Sequence, residues 1–311
     1  MAVQGAATMR HVLRSIPSAS LPLLILLVLG AGCGLTVRQR AAVDRFGAAT
    51  VDFAALASTE LVKSRTDVLE MNTLRAKLGD PVLTADRPMD EHFSVAQVKI
   101  RTDALKALED YGALLQALVT TSQTEKLQKA ADGFVGSLRK VNGITLTDAQ
   151  AGAVGEAVQK VGGLIVEYMR AEATRQIVTD TQPHVTRLLE LVRRDFDPQA
   201  DHWSLGYSKV LLALDGAASR AERLARVSGG ASSADASTVA VVGEARAAQQ
   251  RNAMRFTTVS AQVLESTAKL AEAHTNLRYA VQSKEVTLDE LNTYVSQVED
   301  FVRIYAILRD R

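Results

Sequence analysis

The densest group of side chains able to do chemistry is Asp195, Asp197, Asp201 and His202, gathered around Pro198. Carboxylate oxygens and an imidazole nitrogen so close together could ligate a divalent ion. Their spacing, however, lacks the glycine turn and terminal glutamate of a calcium loop. Carboxylates of a first helical turn, stabilised by the helix dipole, account for the same residues. The five histidines, at 11, 92, 184, 202 and 274, never fall three or four apart on an expected helix, so the sequence announces no local metal pair. It has no Gly-x-Ser-x-Gly elbow, and no serine is announced as a nucleophile with its base. Gly133 with Gly136, and Gly162 with Gly163, lack the Lys and Ser/Thr of a phosphate loop and instead predict close approach of helices. Glu299 and Asp300 are adjacent helical positions pointing in different directions, a solvated face rather than a glycosidase pair. Trp203 and Tyr207, four apart and beside His202, could form a ligand platform, although a core or interface anchor is the commoner role of such aromatics. Ser266, inside the longest apolar seam, either sets register or is a tolerated small residue. These readings assign no catalytic, cofactor-binding or metal residue, and no enzyme activity or cofactor is expected.

The single cysteine carries a different kind of chemistry. Residues 1–15 hold Arg10, His11 and Arg14 with no acid, and Ile16 to Leu29 is an apolar run of about 14 residues interrupted by Pro17 and Pro22. That is shorter than the roughly 20 residues of a spanning helix and has the layout of a secretory signal. Gly30-Ala31-Gly32-Cys33-Gly34 follows. This stretch resembles the lipobox of bacterial lipoproteins, in which the signal is cut immediately before a cysteine that becomes lipidated. Ala31 and Gly32 match the small residues preferred before the cut, and Gly30 stands where Leu is commonest, with Leu29 one place earlier. The resemblance, confined to residues 1–34, implies cleavage between Gly32 and Cys33 and lipidation of Cys33, with three acyl chains (palmitate among them) in a Gram-negative host. It also implies attachment to the cell envelope, and Gly34 rather than Asp favours the outer membrane, facing the periplasm. Each buried acyl methylene contributes roughly 0.8 kcal/mol, so several chains anchor durably. One cysteine excludes a disulfide framework, and the exported body must hold together by packing.

Composition bounds that body. It is 47% hydrophobic and only 5% aromatic. After Cys33 there are four prolines, at 81, 88, 183 and 198, too few for a turn-rich β sandwich or barrel. Removal of residues 1–32 takes Arg10 and Arg14 and leaves 34 basic against 35 acidic residues. A near-neutral chain without a basic block lacks the charge that displaces counterions from phosphates, so no nucleic-acid partner is expected.

The periodicity supplies the elements. Phe46, Ala49, Phe53, Leu56, Leu61, Val68, Met71, Leu74 and Leu78 predict a helix over about 36–79, ended by Gly79-Asp80-Pro81. Val98, Leu105, Leu108, Tyr111, Leu115 and Leu118 form the next apolar face. Capping patterns at Ser122 to Glu125, Thr147 to Gln150 and Thr287 to Glu290 each predict a helix start. The first of these helices is expected to run as far as Asn142-Gly143. Asp180 to Pro183 predicts another start, and Asp197-Pro198 a further start or a kink within one bent helix. Ser228 to Ser237 reads as a loop. Phe256, Val259, Val263, Ser266, Leu270, Ala273, Leu277 and Ala280 hold steps of 3 and 4, a coiled-coil-like seam. The expected fold is all-α: an elongated bundle of seven or eight long helices over residues 33–311, read as one domain with a conceivable subdivision near 180. Its expected role is a membrane-anchored, non-enzymatic periplasmic scaffold that binds envelope proteins. The alternative is a sensor or small-ligand module with a pocket between helices.

Overall fold

The computed structural model describes residues 34–80, 89–161, 167–200, 202–227, 233–282 and 288–309. Gly32, Cys33, His11, Gly162, Gly163, Asp201 and Thr287, with the readings placed on them, lie outside the described residues. Among the described residues eight α-helices follow one another: α1 (Val37–Lys77), α2 (Val95–Thr120), α3 (Thr124–Leu138), α4 (Asp148–Val161), α5 (Glu167–Phe196), α6 (Trp203–Val227), α7 (Ser233–Gln282) and α8 (Asp289–Arg309). One 3-10 turn, Glu91–Phe93, precedes α2. Among the described residues there is no strand, and the fold is all-α. Leu35–Arg311 clusters as one compact unit.

Helix ends follow local chemistry. Thr36 caps α1 through a complete capping box: its hydroxyl accepts the Gln39 N–H at 3.1 Å, and Gln39 Oε1 accepts the Thr36 N–H at 2.7 Å. The same Gln39 amide donates to Ala280 O at 2.6 Å. Gly79, at φ 68°, ends α1 in the left-handed conformation that glycine adopts without strain. Thr147 and Gln150 form the reciprocal cap of α4, at 3.0 and 3.2 Å.

Four expected boundaries are corrected, one of them the loop read over Ser228 to Ser237, since α7 already begins at Ser233. Ser122 does not cap α3: Gln123 is the N-cap and makes no side-chain cap bond, while Thr121 Oγ1 accepts the Gln123 N–H at 3.2 Å. The bend is thus made one residue before the motif. The same helix stops at Leu138, and Gly143, at φ 82°, instead shapes the turn that follows. Pro183 starts no helix but lies inside α5. An interior proline costs about 3 kcal/mol. The buried neighbours Ile177, Val178, Val185, Leu188 and Leu189 outweigh it by burying roughly 1.5–3 kcal/mol each. Chain around Pro198 then separates α5 from α6, which are two helices rather than one bent one.

The longest helices, α1 (41 residues) and α7 (50 residues), form a spine. At 1.5 Å per residue they would span about 60 and 75 Å if straight. They run antiparallel, since Gln39 meets Ala280 and Glu60 meets Arg255. Against this spine pack α2 and α8 on α1, α5 and α8 on α7, and α6 on both. The α7 seam is buried at Val259, Val263, Ser266, Leu270, Ala273, Leu277 and Ala280, as its spacing predicts.

Close backbone approach occurs at Gly47 of α1 and Gly112 of α2. A Cβ on Gly47 would lie 2.6 Å from Gly112 O, and one on Gly112 would lie 2.6 Å from Gly47 O. The expected approach at Gly133 and Gly136 is not found: a Cβ on Gly136 would meet nothing within 4 Å, and one on Gly133 only Asp110 Cγ at 4.0 Å. Both glycines lie on the open side of α3, because its packing uses Leu127, Ala131, Phe134 and Leu138.

Candidate functional site

Among the described residues, two polar clusters lie inside the bundle between α1 and α7, another joins Asn72, Arg75 and Asp80 at the end of α1, and one lies at the surface. The first starts from α1, which turns Glu60, Ser64 and Asp67 inward at spacings of four and three, so that all three share the buried face. Glu60 and Asp67 are 0% and 1% exposed. Arg255 of α7 reaches both, pairing Nη1 with Glu60 Oε2 and Nη2 with Asp67 Oδ2. Tyr207 of α6 donates to Asp67 Oδ2 at 3.2 Å and stacks on Phe256, centroids 4.1 Å apart. Lys63 Nζ lies 2.8 Å from Asp67 Oδ1, and Ser64 Oγ donates to Glu60 O at 2.8 Å. Burial pushes the Glu60 carboxyl up to about 7 against the pull of Arg255, with Asp67 adding to the rise. Arg255 Nε has no hydrogen-bond partner among the described residues. Three helices therefore converge on one guanidinium, an arrangement that fixes their register.

The second cluster is neutral. Tyr111 of α2 and His274 of α7 share a 2.7 Å hydrogen bond. Phe46 of α1 and Tyr294 of α8 complete the wall, their rings 5.5 Å apart, and Tyr294 donates to Thr50 Oγ1 at 3.4 Å. Burial, with Arg278 nearby, lowers His274 to about 4, which keeps the ring uncharged at neutral pH. Burial raises Tyr111 and Tyr294 above the ordinary phenol range. Each ring thus holds the protonation state that needs no counter-charge.

At the surface, a cleft of about 270 Å³ opens where α2, the turn after α3, and the α5–α6 junction meet. Ile100, Ala104, Val141 and Leu191 supply apolar lining, and Gln97, Arg101, Asn142, Arg194, Asp195 and His202 supply the polar part. Arg101 Nε pairs with Asp195 at 2.9 Å, its Nη1 donates to Gln97 Oε1 at 2.8 Å, and its guanidinium lies 4.9 Å from the Trp203 ring centroid. Burial raises the Asp195 carboxyl, and Arg101 pulls it back. Arg194 Nη2 lies 2.5 Å from His202 Nε2, so with arginine donating, that ring nitrogen carries the lone pair.

The sequence-selected residues thus separate. Asp195 and His202 meet in the cleft, but their neighbours are guanidinium groups rather than metal ligands. Asp197 Oδ1 accepts the Gln199 N–H at 2.9 Å and shapes the turn. Among the described residues no group of three His, Cys, Asp or Glu side chains could hold a metal. Trp203 packs edge-on against Phe93 at 4.3 Å and is buried with Tyr207, so both are core anchors rather than an open platform. Buried Ser266 makes no side-chain hydrogen bond among the described residues. His92 is exposed, whereas His184 is buried and thereby lowered. Glu299 and Asp300 are exposed, and Asp300 pairs with Arg303 at 3.3 Å.

Glu60, Asp67 and Arg255 escape a reading that tracks only apolar residues. Their signal is positional: Glu60 and Asp67 are seven apart between Phe53 and Met71, and Arg255 adjoins Phe256 in the α7 seam. The cleft residues Gln97, Arg101, Asn142 and Arg194 carry no such signal, because three separate segments bring them together. No family model, no curated protein and no solved structure matches the chain.

Proposed function

We propose that this is a lipoprotein, anchored in the envelope membrane through lipid on Cys33, whose helical body acts without catalysis as a scaffold for envelope proteins. The outer membrane, with the body facing the periplasm, is the location that Gly34 favours. Only Gly34 and Leu35 separate Cys33 from the helix cap Thr36, so little chain is available as a tether. Among the described residues no helix is long and apolar enough to cross a membrane.

The observation that carries the scaffold reading is the tip of the α6–α7 hairpin. Arg246 pairs with Asp215 and donates to Ser219, which fixes an antiparallel register and sets Val239 against the last turns of α6. Neither 222–227 nor 236–244 contains a buried residue. Leu224, Val227 and Val239 are 68%, 86% and 62% exposed, and Leu224 and Val227 share one helical face. Apolar side chains clustered on a surface are a recurrent mark of a protein contact.

The test is crosslinking in intact cells with the wild type, Cys33→Ser and the double variant Leu224→Glu/Val227→Glu. The same envelope proteins should be captured by the wild type and lost from the double variant at unchanged helix content. Cys33→Ser should leave the membrane fraction. An unchanged partner set in the double variant overturns the hairpin as the contact surface, and membrane retention of Cys33→Ser overturns the lipid anchor. The cleft at the α5–α6 junction favours a second reading, a small-ligand or sensor module.

A further inference from the structure

The polar groups of the cleft do not cancel. Arg101 and Asp195 neutralise each other at 2.9 Å, both largely buried. His202 Nε2 accepts from Arg194 and supplies no negative charge to it. Arg194 itself is exposed and makes no ion pair among the described residues, so the described cleft holds two guanidinium groups, Arg101 and Arg194, against one carboxylate, Asp195. Gln97 Oε1 is occupied by Arg101, which leaves its amide hydrogens as donors beside Asn142. His202 immediately precedes the N-terminus of α6, whose first turn carries no acid, so the positive end of that helix dipole adds to the field. Opposite these donors lie the hydrocarbon groups of Ile100, Ala104, Val141 and Leu191. The volume is near the lower end of the roughly 300–1,000 Å³ found for ligand pockets.

We propose that this cleft binds a small monocarboxylate with an apolar body, its carboxylate on Arg194 and its hydrocarbon against Ile100, Ala104, Val141 and Leu191. The planar fork of a guanidinium matches a carboxylate with two parallel hydrogen bonds. A cationic ligand meets Arg194 with repulsion, and a dianion has one uncompensated charge to meet rather than two. The proposal rests on the small-ligand reading and uses no residue of the 222–244 hairpin tip.

Trp203 is the only tryptophan of the chain and lies beneath Arg101, so its fluorescence reports the cleft. The full chain in detergent is titrated with hexanoate, hexanol, hexylammonium and inorganic phosphate. Arg194→Gln and Ile100→Glu, both at exposed positions, are titrated alongside after their helix content is checked by circular dichroism. Hexanoate should give a saturable change that weakens at least tenfold in each variant, and hexylammonium should give none. Four results overturn the proposal: no saturable response to hexanoate, a response unchanged by Arg194→Gln, an equal response to hexylammonium, or phosphate binding as tightly as hexanoate. If hexanol binds as well as hexanoate and depends on Ile100 but not Arg194, the carboxylate assignment falls while the small-ligand reading stands. No response to any probe removes both.

Discussion

The two buried polar clusters on the α1–α7 spine solve one problem in opposite ways. Around Arg255 the bundle keeps charges and compensates them: Glu60 and Asp67 share a guanidinium, with Lys63 and Tyr207 at the edges. Around His274 it keeps rings neutral and satisfies them with single hydrogen bonds. A charged network ties helices together strongly when intact, but each member leaves an uncompensated ion when another is lost. A neutral cluster loses only a hydrogen bond, about 1 kcal/mol each. The neutral cluster can then afford to sit where α1 and α2 come closest: Phe46 adjoins Gly47 and Tyr111 adjoins Gly112, the pair at which a Cβ would meet backbone. One region is held by charge and the other by shape.

The largest effect is expected from Arg255→Met. Removing the shared cation strands Glu60 and Asp67 and should cost roughly 3–5 kcal/mol in urea unfolding followed by circular dichroism. Converting all three residues to apolar ones of similar volume (Glu60→Met, Asp67→Leu, Arg255→Met) should recover most of that loss. A single variant within 1 kcal/mol of the wild type breaks the comparison, since the network would then compensate nothing.

Gly112→Ala probes the region held by shape. A methyl group there meets the Gly47 carbonyl oxygen at 2.6 Å, a backbone atom that cannot rotate away, so α1 and α2 must separate. Overpacking of this kind costs about 1–3 kcal/mol. Gly136→Ala, in open space within a helix, should be neutral or slightly stabilising by roughly 0.5–1 kcal/mol. Equal effects of the two substitutions in thermal unfolding would remove the close crossing from the account.

The smallest net effect is the pH dependence of the wild type, where the two clusters oppose each other. Glu60 rises from an ordinary 4.5 to about 7, so the folded state holds a proton that the unfolded state releases. Its contribution is complete below 4.5 and is lost as pH rises to 7. His274 falls from an ordinary 6.5 to about 4, so its contribution is complete above 6.5 and is lost as pH falls to 4. The slopes partly cancel in the wild type. Glu60→Gln should leave stability rising with pH between 4 and 6.5, and His274→Phe should leave it falling between 4.5 and 7. The same slope in both variants would show that neither group governs this window.

Helix positions were legible wherever an apolar stripe and a terminator agreed, as from Thr36 to Gly79 and along Val259 to Ala280. They were not legible where packing outweighs a local signal. Pro183 reads as a start, yet buried neighbours carry α5 through it. Gly133 and Gly136 read as a crossing, while the crossing falls at Gly47 and Gly112, which show no glycine pattern within either helix because each contributes one residue. Of the cleft, the sequence displayed only Asp195 and His202, near each other along the chain, and read them as part of a group stabilised by a helix dipole in preference to metal ligands. Arg101, 94 positions from Asp195, makes that carboxylate one half of an ion pair and enters only through the tertiary fold.

Gln39 has a mechanical consequence. Its side chain is at once part of the cap that starts α1 and a donor to Ala280 O near the end of α7. Tension applied to the chain ahead of Thr36 is therefore not borne by the first turn of α1 alone. The pull divides at that amide and passes into both of the longest helices, as a load divides at a clevis pin.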